Sequence, residues 1–369
     1  MQTEQEQAVQ PEDQREDKNG VQDLTQLEDR REATNRLEDI ELTPAGQVAV
    51  LPTASIPVKR QRFTLLRELL RNPKARLGLI IVAIFVLAAI FAPVIAPGDP
   101  TVFVDRPHLP PSPEHIFGTE GQGKDVFAQT VWGGRISLTV GFATGILTTI
   151  IAIIIGMSAG FFRGKIDDAL SLLMNLFLVI PGLPLLVVIA AYLRPGLGTI
   201  ILALSFTGWA WGARVLRSQT LSLREKDFVS ASVVSGDSNA RIIFREILPN
   251  MASIIVGGMI GSVSYAIGAE AALSLIGLTN VGNVSWGTNL YWAQNNAGLL
   301  TGAWWTFIPS GMCIALVAFG LSMINYGMDE ITNPRLRAER DVNNVLKHST
   351  IKIARNNIGA TPVFRRPAQ

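Results

Sequence analysis

One stretch of the sequence has the spacing of a phosphate-binding loop. Residues 118–125 read GTEGQGKD and match the pattern G-x-x-x-x-G-K, but Asp125 stands where such a loop has the serine or threonine that ligates magnesium. A carboxylate there would repel phosphate groups, and the preceding residues, PHLPPSPEHIF, are not the apolar strand that such a loop follows. We exclude nucleotide binding at this loop, and no other stretch of the sequence resembles a phosphate-binding motif.

Other side chains with reactive or metal-binding chemistry are few and dispersed. The chain has three histidines, His108, His115 and His348, and one cysteine, Cys313, which lies inside an apolar run. A single cysteine excludes an intrachain disulfide, and scattered histidines argue against a metal cluster. The sequence also lacks the paired carboxylates or activated nucleophile that a membrane-embedded enzyme needs. We therefore predict that the chain is not an enzyme and carries no metal or cofactor.

Long apolar runs determine the class of protein. Charged residues make up 17% of the 369 residues, against about a quarter in soluble domains, and the mean hydropathy is +0.30. About 20 apolar residues cross a hydrocarbon core of about 30 Å. Six runs approach or exceed that length, at 77–96, 136–162, 169–193, 197–211, 250–278 and 304–328. The sequence predicts an all-α, polytopic membrane protein with six transmembrane helices, the third of which is kinked near Pro181 and Pro184.

The distribution of charge predicts the orientation of these helices. Residues 59–76 hold seven basic residues and one acidic residue beside the first apolar run, which places that side of the run in the cytosol. Later connecting segments alternate between basic ones and weakly charged ones such as 279–303, so both termini are predicted to be cytoplasmic. We expect a disordered acidic tail over 1–58, a six-helix membrane domain over 77–333 and a basic tail over 334–369. No cleavable signal peptide is expected, because the first residues are polar and acidic.

Glu270 is an unusual charge within an apolar run. It lies about 20 residues beyond Asn250, which is about 30 Å along a helix and near the outer end of the fifth span. A carboxylate inside a membrane is a candidate for gating or for the transport pathway. A structural hydrogen bond inside the helix bundle is the alternative interpretation.

Tryptophans and glycines in the runs have simpler interpretations. The tryptophans at predicted outer ends indicate an interfacial aromatic belt, and they are Trp132, Trp286, Trp292, Trp304 and Trp305. The glycine pairs at 141/145, 156/160 and 257/261 predict close contacts between helices.

The segment 214–249 is predicted to be the longest internal loop, and it is patterned. Residues 228–234 form a short, mostly apolar helix, and Gly236 suits a helix C-terminal cap. Asp237 or Ser238 can then cap a second short helix that ends near Pro249. A helix–glycine–helix with basic edges is either a docking element for another protein or an amphipathic helix on the inner leaflet.

This segment also resembles a known family. KDFVSASVVSGDSNARIIFREILPN (226–250) is similar to the coupling motif of ABC importer permeases, in the version of the oligopeptide/dipeptide permease family. The matching residues are Asp227, Phe228, Ala231, Gly236, Arg241, Ile242, Ile243, Arg245, Leu248, Pro249 and Asn250. Four further segments resemble parts of the family's sequence and follow each other in the family's order, and they are 116–141, 270–278, 285–290 and 328–337. The first of them resembles the segment that marks the C-type of the family's two permease subunits. Ser230 and Ser232 depart from the glutamate and second alanine of the motif, and Lys124 from an arginine.

The resemblance implies the transmembrane domain of a type I ABC importer in a prokaryotic plasma (inner) membrane. The implied partners are a second related permease subunit, two cytosolic ATPase subunits, an extracytoplasmic solute-binding protein and membrane lipid, and no nucleic acid. The matched residues of the coupling loop 226–249 would carry the ATPase coupling, and the solute would be an oligopeptide, a dipeptide, an oligosaccharide or a metal chelate. A secondary transporter or channel not driven by ATP is the alternative, and the scarcity of mid-membrane charges and of internal repeats argues against it.

Overall fold

The computed structural model describes residues 69–332, and their side chains as far as residue 330. The acidic tail predicted over 1–58, the basic residues before 69 and the basic tail predicted over 334–369 lie outside the described residues. Between residues 69 and 332 every regular element is helical, apart from one isolated β-bridge between Thr119 and Asp125. The all-α prediction is therefore confirmed for this part of the chain.

Nine α-helices of eight residues or more form the bundle within residues 69–332. They are α1 (Pro73–Ile90), α2 (Val126–Phe162), α3 (Gly164–Val179), α4 (Gly182–Tyr192), α5 (Leu197–Arg224), α6 (Asp227–Val234), α7 (Ala252–Leu275), α8 (Trp286–Asn295) and α9 (Ile308–Thr332). Shorter elements are the helical turns Ala92–Ile95, Asn239–Arg241 and Leu248–Asn250, the π-helix Ile242–Ile247 and the 3₁₀ turn Trp304–Thr306.

Five of these helices are long and apolar enough to cross a membrane, namely α1, α2, α5, α7 and α9, and the pair α3–α4 supplies a sixth, bent span. The bend between α3 and α4 is 85° and lies at Pro181, as the sequence predicted. Ile180, the residue before the proline, has an extended backbone (φ −73°, ψ 124°), because the proline ring excludes the helical conformation there.

Two predicted boundaries were wrong. The fourth apolar run was expected to end at Trp211, but α5 continues to Arg224, so residues 214–224 are helix and not loop. Ala213, Leu216 and Thr220 recur at helical spacing and are buried, which keeps the chain helical beyond its apolar run. The second run was expected from 136, but α2 begins at Val126, after the N-cap Asp125.

Small residues let α2 approach two neighbours closely. A Cβ on Gly141 or Gly145 would meet the side chains of Ile267 and Val263 on α7. Likewise a Cβ on Gly156 would meet the backbone of Ala213, and one on Gly160 the backbone of Arg217, both on α5. These two pairs confirm the predicted close contacts.

Candidate functional site

A helical hairpin projects from one end of the bundle. Its first helix, α6, ends in a left-handed glycine, Gly236 (φ +78°), which only glycine adopts without strain. The Gly236 N–H donates to Val233 O and the Asp237 N–H to Ser232 O, the two bonds of a Schellman motif. Ser238, and not Asp237, caps the second helix, because its Oγ accepts the N–H of Arg241. The predicted helix–glycine–helix is confirmed.

The second arm of the hairpin contains a π-helix, which the sequence analysis missed. Over Ile242–Ile247 the backbone follows the wider π turn, and the Leu248 N–H donates to Ile243 O, five residues back. Residues five apart then lie on one face, and Ile242 and Ile247 are both buried, at 1% and 0% exposure. In an α-helix the same two residues would lie about 140° apart. Pro249, which has no N–H to donate, follows the π-helix and is the one local signal that could have indicated an irregular end.

Buried residues seat this hairpin on the membrane helices. Val229 of α6 joins Ile242 and Ile247 in one apolar cluster with Leu216 of α5 and Phe161 of α2. The hairpin is therefore packed directly against α2 and α5.

The outer face of the hairpin is apolar with basic edges, and we call it the hairpin surface. Its exposed apolar members are Phe228, Val233, Val234 and Phe244, of which Val234 is 88% exposed. Ala231 is also exposed. Arg241 and Arg245 are exposed on the same hairpin, and the Arg241 guanidinium lies 2.6 Å from the Asp237 carboxylate.

The predicted coupling residues divide into two groups. Exposed ones are Asp227, Phe228, Ala231, Gly236, Arg241, Arg245 and Pro249, whereas Leu248 is half-buried against the apolar cluster. The hairpin therefore brings all of them together on one projecting element.

A cavity of about 680 Å³ lies between α2, α5, α7 and α9. Glycines, hydroxyl groups and an amide make up much of its wall, including Thr144, Thr148, Thr207, Gly257, Gly258, Gly261, Ser262, Tyr265 and Asn325. The third predicted glycine contact holds for only one member of the pair. A Cβ on Gly257 would come within 3.1 Å of the Asn325 Oδ1 on α9, whereas one on Gly261 would meet nothing within 4 Å, so Gly261 borders open cavity space instead of a helix contact.

Glu270 lies on α7, toward the opposite end of the bundle from the hairpin, and is 2% exposed. It accepts hydrogen bonds from Ser137 of α2 (3.0 Å), Ser274 of α7 (2.9 Å) and Ser285, the N-cap of α8 (2.8 Å). The Ser137 Oγ in turn accepts the Trp286 N–H. Glu270 thus joins three elements, and it is not among the residues that line the cavity.

Trp286 is not part of an interfacial belt. It is 1% exposed, its indole donates to Thr130 O, and Gly134 makes room for its ring. The prediction for this tryptophan was wrong, because the short helix α8 folds back into the bundle. Ser285 and Thr288 form a capping box that starts this helix, with Thr288 in place of the glutamate or glutamine that the sequence signature of such a box requires.

The residues with phosphate-loop spacing form a structural loop ahead of α2. The Asp125 carboxylate caps α2 by accepting the Ala128 N–H, so the helix N-terminus that would bind a phosphate is already occupied. Glu120 is buried within the same loop and accepts a bond from Asn296 at 2.9 Å. Burial raises the pKa of the Glu120 carboxyl above its ordinary value of 4.5.

A bundle of membrane-spanning length with a cavity and an exposed hairpin fits the class of polytopic permeases. The family model described as "Binding-protein-dependent transport system inner membrane component" matches residues 152–338, and "N-terminal TM domain of oligopeptide transport permease C" matches residues 63–111. The chain belongs to this family of inner membrane components.

Curated relatives cover most of the chain. The dipeptide transport system permease protein DppC of Bacillus subtilis is 36% identical over 73% of this chain and 85% of the relative. The oligopeptide transport system permease protein OppC of the same organism is 35% identical over 72% and 87%, respectively. The DppC protein of Alkalihalophilus pseudofirmus is 34% identical over 74% and 89%. The chain is thus the permease subunit of an ABC importer and not itself an ATPase, and a permease of this kind works with further subunits.

Proposed function

We propose that this chain is one of two related permease subunits that together import peptides, driven by two cytosolic ATPase subunits. Four observations support the proposal: the hairpin surface, its rigid seat on α2 and α5, the cavity beside α7, and relatives whose names refer to dipeptide and oligopeptide transport. The hairpin surface carries the proposal, because it exposes Val234 and Phe244 beside arginines at the end of the bundle, and an exposed apolar patch of this kind is typical of a protein-docking site.

In this proposal the hairpin lies on the cytosolic side, together with both termini. Arg163, Lys165 and Arg224 lie at the same end of the helices, whereas residues 279–303 hold no charged residue. This asymmetry supports the orientation. The loop before α2 and the helix α8 then face the extracytoplasmic side, where a solute-binding protein would deliver the peptide.

Coupling follows from the seat of the hairpin. When the ATPase subunits close on ATP, they move the hairpin surface, and the buried contacts of Val229, Ile242 and Ile247 pass that motion to α2 and α5. The cavity beside α7 would be this subunit's half of the pathway, and the second permease would supply the other half.

A pair of substitutions tests the ATPase assignment. We expect Val234→Asp to prevent co-purification with the ATPase subunits and to lose ATP-driven peptide uptake, because it places a charge at the most exposed apolar residue of the hairpin surface. Val104→Asp is the matched control for ATPase co-purification, since Val104 is an exposed valine (48%) in the loop before α2, on the opposite side from the hairpin in this proposal. Uptake by the Val234→Asp variant at the wild-type rate would contradict the proposal.

A second variant tests coupling without altering the surface chemistry. Gly236→Pro cannot adopt φ +78°, so the hairpin turn would be lost while the spans still insert. We expect membrane levels close to wild type and uptake near background. Peptide uptake that follows an ion gradient in the absence of ATP would instead identify a secondary transporter.

A further inference from the structure

The cavity beside α7 is almost free of charge. Its wall contains five glycines and a set of hydroxyl and amide groups, together with apolar side chains. Among the described lining residues there is no lysine, arginine, histidine or glutamate, and Asp329 of α9 is the only aspartate. Within the described wall of the cavity, the formal charge therefore comes from one carboxylate.

Asp329 and its neighbour Glu330 have different surroundings. Glu330 faces α1, where it accepts a hydrogen bond from Asn72 (2.9 Å) and lies 3.8 Å from the Lys74 ammonium. Asp329 is exposed and lies one helical turn from Asn325, which also lines the cavity. In the described part of the chain no lysine or arginine pairs with the Asp329 carboxylate.

We infer that Asp329 is a specificity-determining residue that makes this half of the pathway favour peptides with a cationic group and disfavour anionic ones. Asp329 is exposed to solvent, but it lines a cleft whose other walls are uncharged and largely apolar, and such walls focus the field of a charge along the cleft. The glycines, hydroxyl groups and apolar side chains of the wall carry no charge, so Asp329 is the residue through which this wall can distinguish solutes by charge. The peptide part of the inference rests on the proposed function.

A reporter thiol can measure the potential without any peptide. Gly258 lines the cavity, and a Cβ there would meet nothing within 4 Å, so Gly258→Cys places a thiol in open space. Cys313→Ser removes the native thiol. In membranes that contain the complete transporter, we would measure the labelling rates of trimethylammonium-ethyl and sulfonato-ethyl methanethiosulfonate, which differ mainly in the sign of their charge.

We expect the ratio of cationic to anionic labelling rates, normalised to a free thiol in solution, to exceed 1. Asp329→Asn should lower that ratio by about 3-fold or more. Asp168→Asn, which removes an exposed carboxylate of α3 that is not part of the cavity wall, should leave it unchanged. A ratio that does not respond to Asp329→Asn overturns the inference, as does a thiol that neither reagent reaches.

Peptide uptake then tests the specificity. With saturating binding protein, Asp329→Asn should shift the maximal uptake rates of Ala–Lys relative to Ala–Glu by about 3-fold toward Ala–Glu, with Ala–Ala changed less. An unchanged Lys-to-Glu ratio overturns the role of Asp329 in specificity. Failure of the unmodified transporter to take up any of the three peptides would refute the proposed substrate class, while the labelling result would still decide the cavity potential.

Discussion

Glu270→Ala removes a carboxylate that joins α2, α7 and α8 inside the bundle. Two of its three donors have another acceptor nearby, since Ser274 lies 2.9 Å from the Thr279 hydroxyl and Ser285 lies 3.3 Å from the Thr288 hydroxyl. The loss of stability therefore comes mainly from the Ser137 hydroxyl, which is left without its acceptor, and from the cavity that the shortened side chain leaves.

The magnitude follows from these two contributions. A buried hydroxyl that loses its partner costs about 1–3 kcal/mol, and the void left by the shortened side chain adds about 1 kcal/mol. A total of about 2–4 kcal/mol corresponds to a fall in melting temperature of about 4–8 °C for a chain of this size. Glu270→Gln keeps the volume and one acceptor oxygen, so we expect it to lose about half as much.

Two assays on the same samples decide between a structural and a gating role. Thermal unfolding in detergent gives the change in melting temperature, and ATP-driven uptake per folded transporter gives the activity. Glu225→Ala is the control for loss of a carboxylate, because that side chain is 66% exposed and its ion pair with Arg163 contributes little. A structural role predicts a stability loss with uptake by the Glu270→Gln variant within about 2-fold of wild type.

The reasoning would be refuted in either of two ways. If Glu270→Ala keeps the wild-type melting temperature, the three serine bonds do not stabilise the bundle. If Glu270→Gln keeps its melting temperature but loses uptake, the carboxylate gates the pathway, which was the alternative that the sequence left open.

Three further predictions concern backbone packing and pH. Gly156→Ala should lower the melting temperature by about 2–6 °C, because its Cβ meets backbone atoms of α5, whereas Gly261→Ala, which points into the cavity, should leave the melting temperature equal or higher. Deletion of Ile243 should convert the π-helix to an α-helix in which Ile242 and Ile247 still lie on one face, so the circular dichroism spectrum and the assembly should be preserved. As the control, deletion of Val215 from the regular helix α5 should prevent folding. Since burial raises the pKa of Glu120, the folded state holds that proton more tightly than the unfolded state. The protonated Glu120 carboxyl therefore stabilises the fold fully below pH 4.5, and this stabilisation is lost as the pH rises through the raised pKa. Glu120→Gln should remove this part of the pH dependence of the melting temperature.

Features that depend on local sequence were predictable. The apolar runs predicted the membrane spans, Pro181 predicted the bend between α3 and α4, and Gly236 predicted the turn of the hairpin. Each of these features is determined by a few consecutive residues. The coupling residues were located through the resemblance of one segment to a family, and their assignment to ATPase contact stays a prediction.

Features that depend on residues far apart in sequence were not predictable. Ser137 and Ser285 are 133 and 15 residues from Glu270, so nothing in the sequence showed that they would share its carboxylate. Trp286 looked like an interfacial residue by its position in the chain, and its burial depends on how α8 packs against α2. The π-helix depends on two isoleucines that the bundle buries together.

The length of α2 has a mechanical consequence. Its 37 residues form one uninterrupted helix of about 55 Å, about 25 Å more than a hydrocarbon core, so a single rod joins the loop at Asp125 to the level of the hairpin. Because such a rod has no joint of its own, its ends can move relative to the bundle mainly by tilting together. A tilt of about 5° about one end displaces the other by about 5 Å, so a small rotation imposed at the hairpin would arrive at the far side of the membrane as a displacement larger than a side chain's width.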